Sequence, residues 1–243
     1  MLADADLSAV ATLMSGQRAS VLLQLLAGRP LAASDLAAGA GMSASLASTH
    51  LAKLLDGGLV RVTQRGRRHE YRLASPQVAE VIEAMLKLAP HRPATTLRQS
   101  HRGRTLRHAR TCYDHLAGEL GVGLTDALQH QHLLQCTDGA YTLTEAGHTR
   151  LRDLGIDIDA LRGHRRAFAR PCLDWTEQRS HLAGALGAGI AARMLELDWV
   201  RRAPGSRSLH VTPAGRHALL EHFALNLPLR QTQGQRGGAD ELP

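Results

Sequence analysis

Two short segments of the chain carry the same potentially reactive residue types in the same order. The first reads Ala-Arg-Thr-Cys-Tyr-Asp at 109–114, and the second reads Ala-Arg-Pro-Cys-Leu-Asp at 169–174. A histidine follows each segment, His115 in the first copy and His181 in the second, where six extra residues, 175–180, precede it. A duplication that repeats cysteine, aspartate and histidine predicts one site shared by the two copies.

The shared site allows two chemistries and one purely structural interpretation. Two thiolates with imidazole or carboxylate groups form a tetrahedral site for a soft or borderline metal ion, or for a metalloid. Alternatively, the neighbouring Arg110 and Arg170 would lower the thiol pKa and make an oxidant-sensitive pair. Because buried cysteines often only fill a core, packing is the third interpretation. The residues concerned are Cys112, Asp114, His115, Cys172, Asp174 and His181.

The duplication also defines the elements that must position these residues. Each copy ends in Thr-x-Ala-Gly, at 144–147 and 212–215, which is typical of a threonine that caps a helix after a hairpin. Each copy, about 109–165 and 169–225, is therefore predicted to form a helix, a hairpin and a helix, like part of a winged helix. Two such copies would pack about a pseudo-two-fold axis. A small organic ligand between them is the alternative signal.

The N-terminal part carries a different pattern, a helix-turn-helix. Ser34 and Asp35 are expected to cap a short helix, Gly39 and Gly41 to make the turn, and Ser43 to cap a second helix. The second helix ends at Asp56-Gly57-Gly58. The leucines expected to form its apolar stripe are Leu46, Leu51, Leu54 and Leu55.

A β-hairpin follows the two helices and completes a winged helix. Strands are predicted at about 59–62 and 69–73, with an arginine-rich turn between them. Polar side chains of the second helix would reach base edges in a major groove, and the hairpin arginines would contact phosphates or a minor groove. The predicted DNA-contacting residues are Ser43, Ser45, Ser48, Thr49, His50, Arg65, Arg67 and Arg68.

These segments resemble the ArsR/SmtB family of winged helix-turn-helix transcriptional repressors over roughly residues 5–89. The residues that carry the resemblance are Asp35-Leu36-Ala37, the runs 42–51 and 54–60, and the wing at 65–73. The resemblance implies a cytoplasmic homodimer that binds near-palindromic operator DNA and releases it when an inducer binds. It also implies dimer contacts from the first helix, about 5–14, and from the helix after the wing, about 76–88.

Two metal sites known in this family are missing from the sequence. The helix before the turn has no cysteine where many members carry Cys-x-Val-Cys, and the helix after the wing offers only Glu80 and Glu83, with no histidine. The remaining candidate for a metal or metalloid is the pair Cys112 and Cys172.

The expected fold is mostly α with small β-hairpin wings, an α+β arrangement in two domains. Residues 1–89 are predicted to form the winged helix-turn-helix DNA-binding and dimerisation domain, and 109–229 the duplicated sensor domain. Between them, 90–108 is interpreted as a basic linker, whose arginines favour either DNA phosphates or plain solvation. The polar segment 230–243 is expected to be a disordered tail.

Composition and motifs exclude several functional classes. The formal net charge of +7 suits a polyanion, although the strong preference for arginine over lysine is also typical of GC-rich coding. Aromatic residues make up only 3% of the chain, which argues against stacking platforms for single-stranded nucleic acid. No signal peptide or membrane-spanning stretch is recognised, and three cysteines suit a reducing cytoplasm.

An enzyme is not expected from the motifs. The sequence has no nucleophile elbow, phosphate-binding loop or metal-hydrolase helix. The one enzymatic alternative is a dithiol oxidoreductase built on Cys112 and Cys172. The non-catalytic alternative is a winged helix that binds protein instead of DNA.

Overall fold

The N-terminal part of the chain forms a winged helix. The computed structural model describes residues 7–66, 68–89 and 95–228. The first elements in chain order are α1 (Leu7–Leu13), α2 (Gly16–Leu25), β1 (Leu31–Ala32), α3 (Ala33–Ala40), α4 (Ala44–Asp56), β2 (Val60–Arg65), β3 (Arg68–Leu73) and α5 (Pro76–Leu88). Helices α3 and α4 form the helix-turn-helix, and β2 and β3 form the wing. The predicted winged helix-turn-helix is therefore confirmed.

The turn between α3 and α4 follows the sequence prediction in part. Gly41 adopts a left-handed conformation with φ +65° and ends α3, as a glycine without a Cβ can do easily. The Ser43 side chain accepts the backbone N–H of Leu46 and caps α4. Gly39 lies inside α3 and does not break it.

The start of α3 differs from the prediction. Its N-cap position is Ala32, which has no capping side chain, and Asp35 lies within the first turn. Strand β1 ends at Ala32 and pairs with β3, so the sheet fixes the backbone at the start of the helix. The expected cap by Ser34 and Asp35 is therefore wrong.

The buried face of α4 consists of Ala47, Leu51 and Leu54. These positions are spaced by four and three residues, so they lie on one side of the helix. Leu46, expected in this stripe, is 38% exposed because it lies one position off the face. Helix α4 consequently exposes one large apolar side chain, Leu46, to solvent.

Helix α5 belongs to the same hydrophobic core. Ser75 caps it by accepting the Val78 N–H, and Pro76 occupies its first turn. Its buried residues Ala79 and Ile82 pack against the winged helix. The other core residues of this domain are Met14, Val21, Leu22, Leu25, Leu26, Leu31, Leu36, Leu51, Leu54, Val60 and Leu73.

A polar helix, α6 (Leu97–His108), occupies much of the segment interpreted as a basic linker. The Thr96 side chain caps it by accepting the Gln99 N–H. Residues 90–94 of the same segment and the tail 230–243 lie outside the described residues.

The C-terminal part repeats one order of elements. The first series is β4 (Arg110–Cys112), β5 (His115–Ala117), α7 (Gly118–His130), β6 (Leu134–Thr137), β7 (Ala140–Leu143), α8 (Glu145–Asp153) and α9 (Ile158–Arg162). The second series is β8 (Arg170–Leu173), β9 (Ser180–Ala183), α10 (Gly184–Glu196), β10 (Val200–Arg202), β11 (Leu209–Val211) and α11 (Pro213–Phe223). Each series contains the predicted helix, hairpin and helix. An additional hairpin, β4–β5 or β8–β9, opens each one.

A single hydrophobic core joins the two series. It contains Leu120 and Leu124 of α7 together with Leu186 and Ile190 of α10, and residues of both later hairpins close it. No helix among the described residues is both long and apolar enough to cross a membrane.

Candidate metal centre and DNA-binding surface

Four potential metal-binding side chains converge between the opening hairpins of the two series. The Sγ atoms of Cys112 and Cys172 lie 3.9 Å apart. The Nε2 atoms of His115 and His181 lie 3.2 Å apart. One donor atom from each of the four side chains lies within 4.8 Å of every other. The sequence placed these four residues in one site, and the structure brings them together.

Strand register explains the convergence. In the antiparallel pair β4–β5, Cys112 lies opposite His115, and in β8–β9, Cys172 lies opposite His181. Side chains directly opposite each other in such a pair project from the same face. Each hairpin therefore presents one cysteine and one histidine together, and the two hairpins face each other.

Two glycines allow the hairpins to approach the helices behind them. A Cβ built on Gly121 of α7 would lie 3.5 Å from the Cβ of His181, and one on Gly187 of α10 would lie 3.3 Å from the Cβ of His115. Both would also overlap a backbone carbonyl in the strand before their own helix. Each helix thus supports the histidine of the other series.

Asp114 and Asp174, predicted as possible ligands, instead face the far nitrogens of the histidines. Asp114 Oδ1 lies 3.2 Å from His115 Nδ1. Asp174 Oδ2 lies 3.1 Å from His181 Nδ1, in an approach that is off-axis for a hydrogen bond. A carboxylate only accepts hydrogen bonds, so a proton on the Nδ1 of each ring would leave each Nε2 free to coordinate an ion. This arrangement is the usual support for a metal-binding histidine.

Arginines hold both carboxylates in their ionised form. Arg110 donates to Asp174 at 2.8 Å, and both side chains are fully buried. Arg166 donates to Asp114 at 2.5 Å nearer the surface. Burial alone would raise the pKa of each carboxyl group, but the histidine and arginine contacts outweigh it and leave both pKa values below the ordinary range.

The two thiols are not equivalent. The Cys112 thiol, His115 and His181 all hydrogen-bond to the Cys172 sulfur and lower its pKa strongly, although burial opposes the change. The pKa of Cys112 is raised by its hydrogen bond to Cys172, by burial and by the carboxylate of Glu83. Burial lowers the pKa of His115, but Asp114 and Cys172 raise it above the ordinary value.

The donor distances fit a tetrahedral ion. With ligand bonds of about 2.3 Å to sulfur and about 2.0–2.1 Å to nitrogen, a tetrahedron requires an S···S distance of about 3.8 Å and an N···N distance of about 3.3 Å. The observed values are 3.9 and 3.2 Å. The sulfur pair and the nitrogen pair therefore each have the separation that a tetrahedral Zn²⁺-like ion requires.

A cavity of about 530 Å³ opens onto the sulfur side of this centre. It lies between α5 and the opening hairpins, not between the two series alone. One wall of the cavity contains Cys112, Cys172 and His115, and the opposite wall contains Glu83. Arg170 is among the charged residues that line it. The centre is thus reached from the side that faces the winged helix.

The second predicted site is the exposed face of α4. Ser43, Ser45, Ser48 and Thr49 are all exposed. The Ser48 and Thr49 hydroxyls donate to carbonyls one turn earlier, at 3.0 and 3.2 Å, and still have acceptor capacity. His50 is half-buried, and its Nε2 lies 3.3 Å from Gln17 Oε1 on α2. Ser45, Ser48 and Thr49 lie on the side of α4 opposite its buried residues, Ser43 caps the start of the helix, and His50 is held against the domain.

The wing presents its arginines at the hairpin tip. Arg65 and Arg68 form the last paired position of β2 and β3, and both are exposed. Gly66, at φ +63°, makes the turn. Arg67, predicted to contact DNA with them, lies outside the described residues.

Comparison with known proteins agrees with this architecture. The profile of the bacterial regulatory protein, arsR family, matches residues 17–62. The chain is 40% identical over 223 residues to YdfF of Bacillus subtilis (strain 168), an uncharacterized HTH-type transcriptional regulator. That alignment covers 91% of this chain and 99% of YdfF. The chain belongs to the ArsR family. It is a DNA-binding transcriptional regulator and not an enzyme.

Solved structures of similar proteins match about a third of this ArsR-family chain. Reduced HlyU from Vibrio cholerae N16961 is 28% identical, and the match covers 35% of this chain and 88% of HlyU, with a TM-score of 0.32. The cadmium metal-sensor CMTR from Mycobacterium tuberculosis is 27% identical, and the match covers 38% of this chain and 100% of CMTR, with a TM-score of 0.30.

The candidate metal centre lies outside residues 17–62, which the ArsR-family profile matches, and its four residues all belong to the C-terminal part. Arg110 and Arg170, expected to act on the thiols, bind the carboxylates of Asp174 and Glu80 instead. Cys136, on β6 and outside this centre, is exposed.

Three contributors were missed in the sequence. Arg166 lies in a loop far along the chain from Asp114, and no sequence motif around it indicates that the two residues are in contact. Glu83 is buried beside the cavity, which a helix position alone does not reveal. Thr125 receives the Leu182 N–H and donates to the Gly121 carbonyl, both at 2.8 Å, so it fixes α7 against the second hairpin.

Proposed function

We propose that this ArsR-family regulator is a homodimeric repressor that releases operator DNA when a soft or borderline metal ion binds its C-terminal centre. The ligands are Cys112, His115, Cys172 and His181. The observation that carries the proposal is the convergence of two imidazole Nε2 atoms and two sulfurs, with N···N and S···S distances that match a tetrahedral site. Two lone pairs 3.2 Å apart repel each other unless a cation or a proton lies between them.

The charge of the centre suits a divalent ion. Two thiolates and two neutral imidazoles carry two negative charges in a largely buried site, and a divalent cation neutralises them. Sulfur and imidazole ligands favour Zn²⁺ and softer ions over Mg²⁺ or Ca²⁺, which require oxygen ligands. A metalloid that binds through sulfur would be coordinated by the two cysteines and not by the histidines.

The geometry favours a metal ion over an oxidant. A disulfide would use only the two sulfurs, which lie 3.9 Å apart as free thiols. Disulfide formation would also leave two histidine Nε2 atoms aimed at each other in a buried site. Metal binding uses all four groups.

A small organic ligand is the second candidate signal, and the cavity of about 530 Å³ is the observation that favours it. The volume lies within the range of small-molecule sites, about 300–1,000 Å³. Because the cavity opens onto the ligand sulfurs, such a molecule would contact the same centre from the α5 side.

An exposed apolar stripe supports the homodimer. Val81, Met85 and Leu88 lie on one side of α5 at spacings of four and three residues and are 47, 44 and 86% exposed. A second copy of the chain is the proposed occupant, because two-fold symmetry matches a near-palindromic operator. Val10 on α1 is exposed as well, at 40%.

The test is operator binding by the purified chain with and without added metal. Fluorescence anisotropy with DNA from upstream of the gene would be measured after chelation, then with Zn²⁺ or Cd²⁺, and separately with diamide as thiol oxidant. We expect metal to weaken operator binding by about 5–150-fold, the usual range of allosteric coupling. Diamide should have a smaller effect.

Matched cysteine variants separate the alternatives. Cys172→Ser should bind the operator and lose the metal response, whereas Cys136→Ser, which alters the exposed thiol outside the centre, should respond like the wild type. Release by diamide and not by metal would replace the metal proposal with a redox pair. A response that survives in Cys172→Ser would place the signal elsewhere, with the cavity as the next site to probe.

A further inference from the structure

We infer that the turn between β4 and β5 transmits occupancy of the metal centre to the DNA-binding helices through its docking on the C-terminal end of α2, where the Tyr113 side chain packs against the winged-helix core. This inference rests on the proposed metal response and concerns how that response reaches the DNA. The turn consists of Tyr113 and Asp114, which lie between the ligands Cys112 and His115.

The first observation is that the turn docks on the C-terminal end of α2. The backbone N–H of Tyr113 donates to the carbonyl of Leu26 at 3.1 Å. Arg202, on β10, donates to the carbonyl of Ala27 at 2.9 Å. The last carbonyls of a helix lack partners within it and carry partial negative charge. The C-terminal domain therefore completes the hydrogen bonding of a winged-helix element.

The second observation is a close backbone approach at this contact. A Cβ built on Gly28 would overlap the carbonyl of Tyr113, and Gly28 itself has φ +70°. Only glycine tolerates both conditions. The two domains thus meet backbone to backbone at the end of α2. A shift of the β4–β5 turn would therefore displace the C-terminal end of α2 directly.

The third observation concerns Tyr113 itself. Its side chain packs against the hydrophobic core of the winged helix. Its φ of +61° is uncommon for an aromatic residue, so the surrounding contacts must hold it there. A residue held in this way between two metal ligands responds to any movement of those ligands.

The fourth observation is a buried ion pair that ties the same strand to α5. Glu83 of α5 pairs with Arg207, and both are largely buried. The Arg207 carbonyl accepts the N–H of Thr111, which directly precedes Cys112. Strand β4 is therefore attached to the winged helix on both sides of its cysteine.

The second series provides an internal comparison. Its residue equivalent to Tyr113 is Leu173, which is 41% exposed and borders the cavity. The two hairpins thus supply equivalent ligands, but only the β4–β5 turn is docked on α2. An ion with ligands from both hairpins would fix them relative to each other, and the asymmetry directs that constraint into α2, which packs against α3 and α4.

The experiment measures the metal response of operator binding in matched variants. Tyr113→Ala removes the docked side chain, Tyr113→Phe keeps its packing, and Leu173→Ala is the control at the equivalent position. Zn²⁺ affinity of each would be measured by competition with a chromophoric chelator, and operator affinity by anisotropy with and without Zn²⁺. We expect Tyr113→Ala to bind Zn²⁺ and operator, but with a metal-induced change in operator Kd at least about fivefold smaller than in the wild type.

Tyr113→Phe and Leu173→Ala should respond like the wild type. A full response in Tyr113→Ala with unchanged Zn²⁺ affinity would overturn the inference and leave the metal proposal intact. Absence of any response in the wild type would instead overturn the metal proposal. If Tyr113→Ala does not fold, as judged by circular dichroism, Glu83→Gln is measured in its place. A reduced response at wild-type Zn²⁺ affinity supports transmission through β4, and any other result refutes it.

Discussion

The imidazoles of His115 and His181 direct their Nε2 atoms at each other across 3.2 Å, while an aspartate faces the Nδ1 of each ring. With a proton on the Nδ1 that faces each aspartate, both Nε2 atoms would be free to coordinate an ion. An ion at this centre would therefore depend on residues that do not touch it.

Replacement of Asp114 tests that dependence. Asp114→Asn keeps the size of the side chain but removes the charge that supports His115, so Zn²⁺ affinity should fall by about 10–100-fold. Chelator competition would measure it. Asp198→Asn, at a surface ion pair with Arg201, is the matched control and should bind Zn²⁺ like the wild type. Equal affinities in the two variants would show that Asp114 does not orient His115.

Two glycine substitutions should change stability in opposite directions. Gly187→Ala places a methyl group against the Leu182 backbone and 3.3 Å from the Cβ of His115, and such overpacking costs about 1–3 kcal/mol. Gly103→Ala on α6 meets nothing within 4 Å and should stabilise the helix by about 0.5–1 kcal/mol. Urea unfolding would measure both. A stabilised Gly187→Ala would mean that α10 and the β4–β5 hairpin leave room for a methyl group at this position.

The buried pair of Arg110 and Asp174 is expected to be the most sensitive ion pair in the C-terminal domain. Arg110→Met leaves a carboxylate at 0% exposure without its cation, and breaking such a pair costs about 3–5 kcal/mol. The midpoint of urea unfolding should fall accordingly. Arg201→Met at the surface should leave the midpoint unchanged. A similar midpoint in both variants would show that Gly118 and Thr176, which also donate to Asp174, suffice to hold it.

The sequence predicted the winged helix because its signals are local. The Ser43 cap, the left-handed Gly41 and the wing strands each depend on a few neighbouring residues. The end of α4 at Asp56-Gly57-Gly58 is of the same kind. The start of α3 was missed because a strand pairing with β3, 38 or more residues away in the chain, replaces the cap.

The candidate site was predictable in composition and not in geometry. The repeated Cys, Asp and His residues identified the site, but the β4–β5 hairpin has strands of three residues and a turn without glycine or asparagine. The roles of the aspartates depend on Arg110 and Arg166, which approach from distant parts of the chain. Long-range packing decides which side chains could coordinate an ion and which support those ligands. No local sequence pattern corresponds to this packing.

The apolar stripe of α5 predicts the effect of a charge at the proposed dimer interface. Met85→Glu places a carboxylate in the middle of the stripe, where burial against a second copy would be strongly unfavourable. We expect a monomer by analytical ultracentrifugation and weaker operator binding. Glu80→Gln, on another side of the same helix, should remain dimeric. A dimeric Met85→Glu protein would move the interface away from α5.

The wing and the recognition helix should differ in how their variants respond to salt. Arg65 and Arg68 are exposed at the hairpin tip, and a lost phosphate contact lowers the slope of log K against log salt by about one unit. Arg68→Ala should therefore weaken specific and non-specific DNA alike and flatten that slope. Ser48→Ala removes a hydroxyl from the exposed face of α4 and should reduce only the preference for operator over random DNA. Titrations of both DNAs at several salt concentrations would distinguish the two, and an unchanged slope in Arg68→Ala would remove this arginine from the DNA contact.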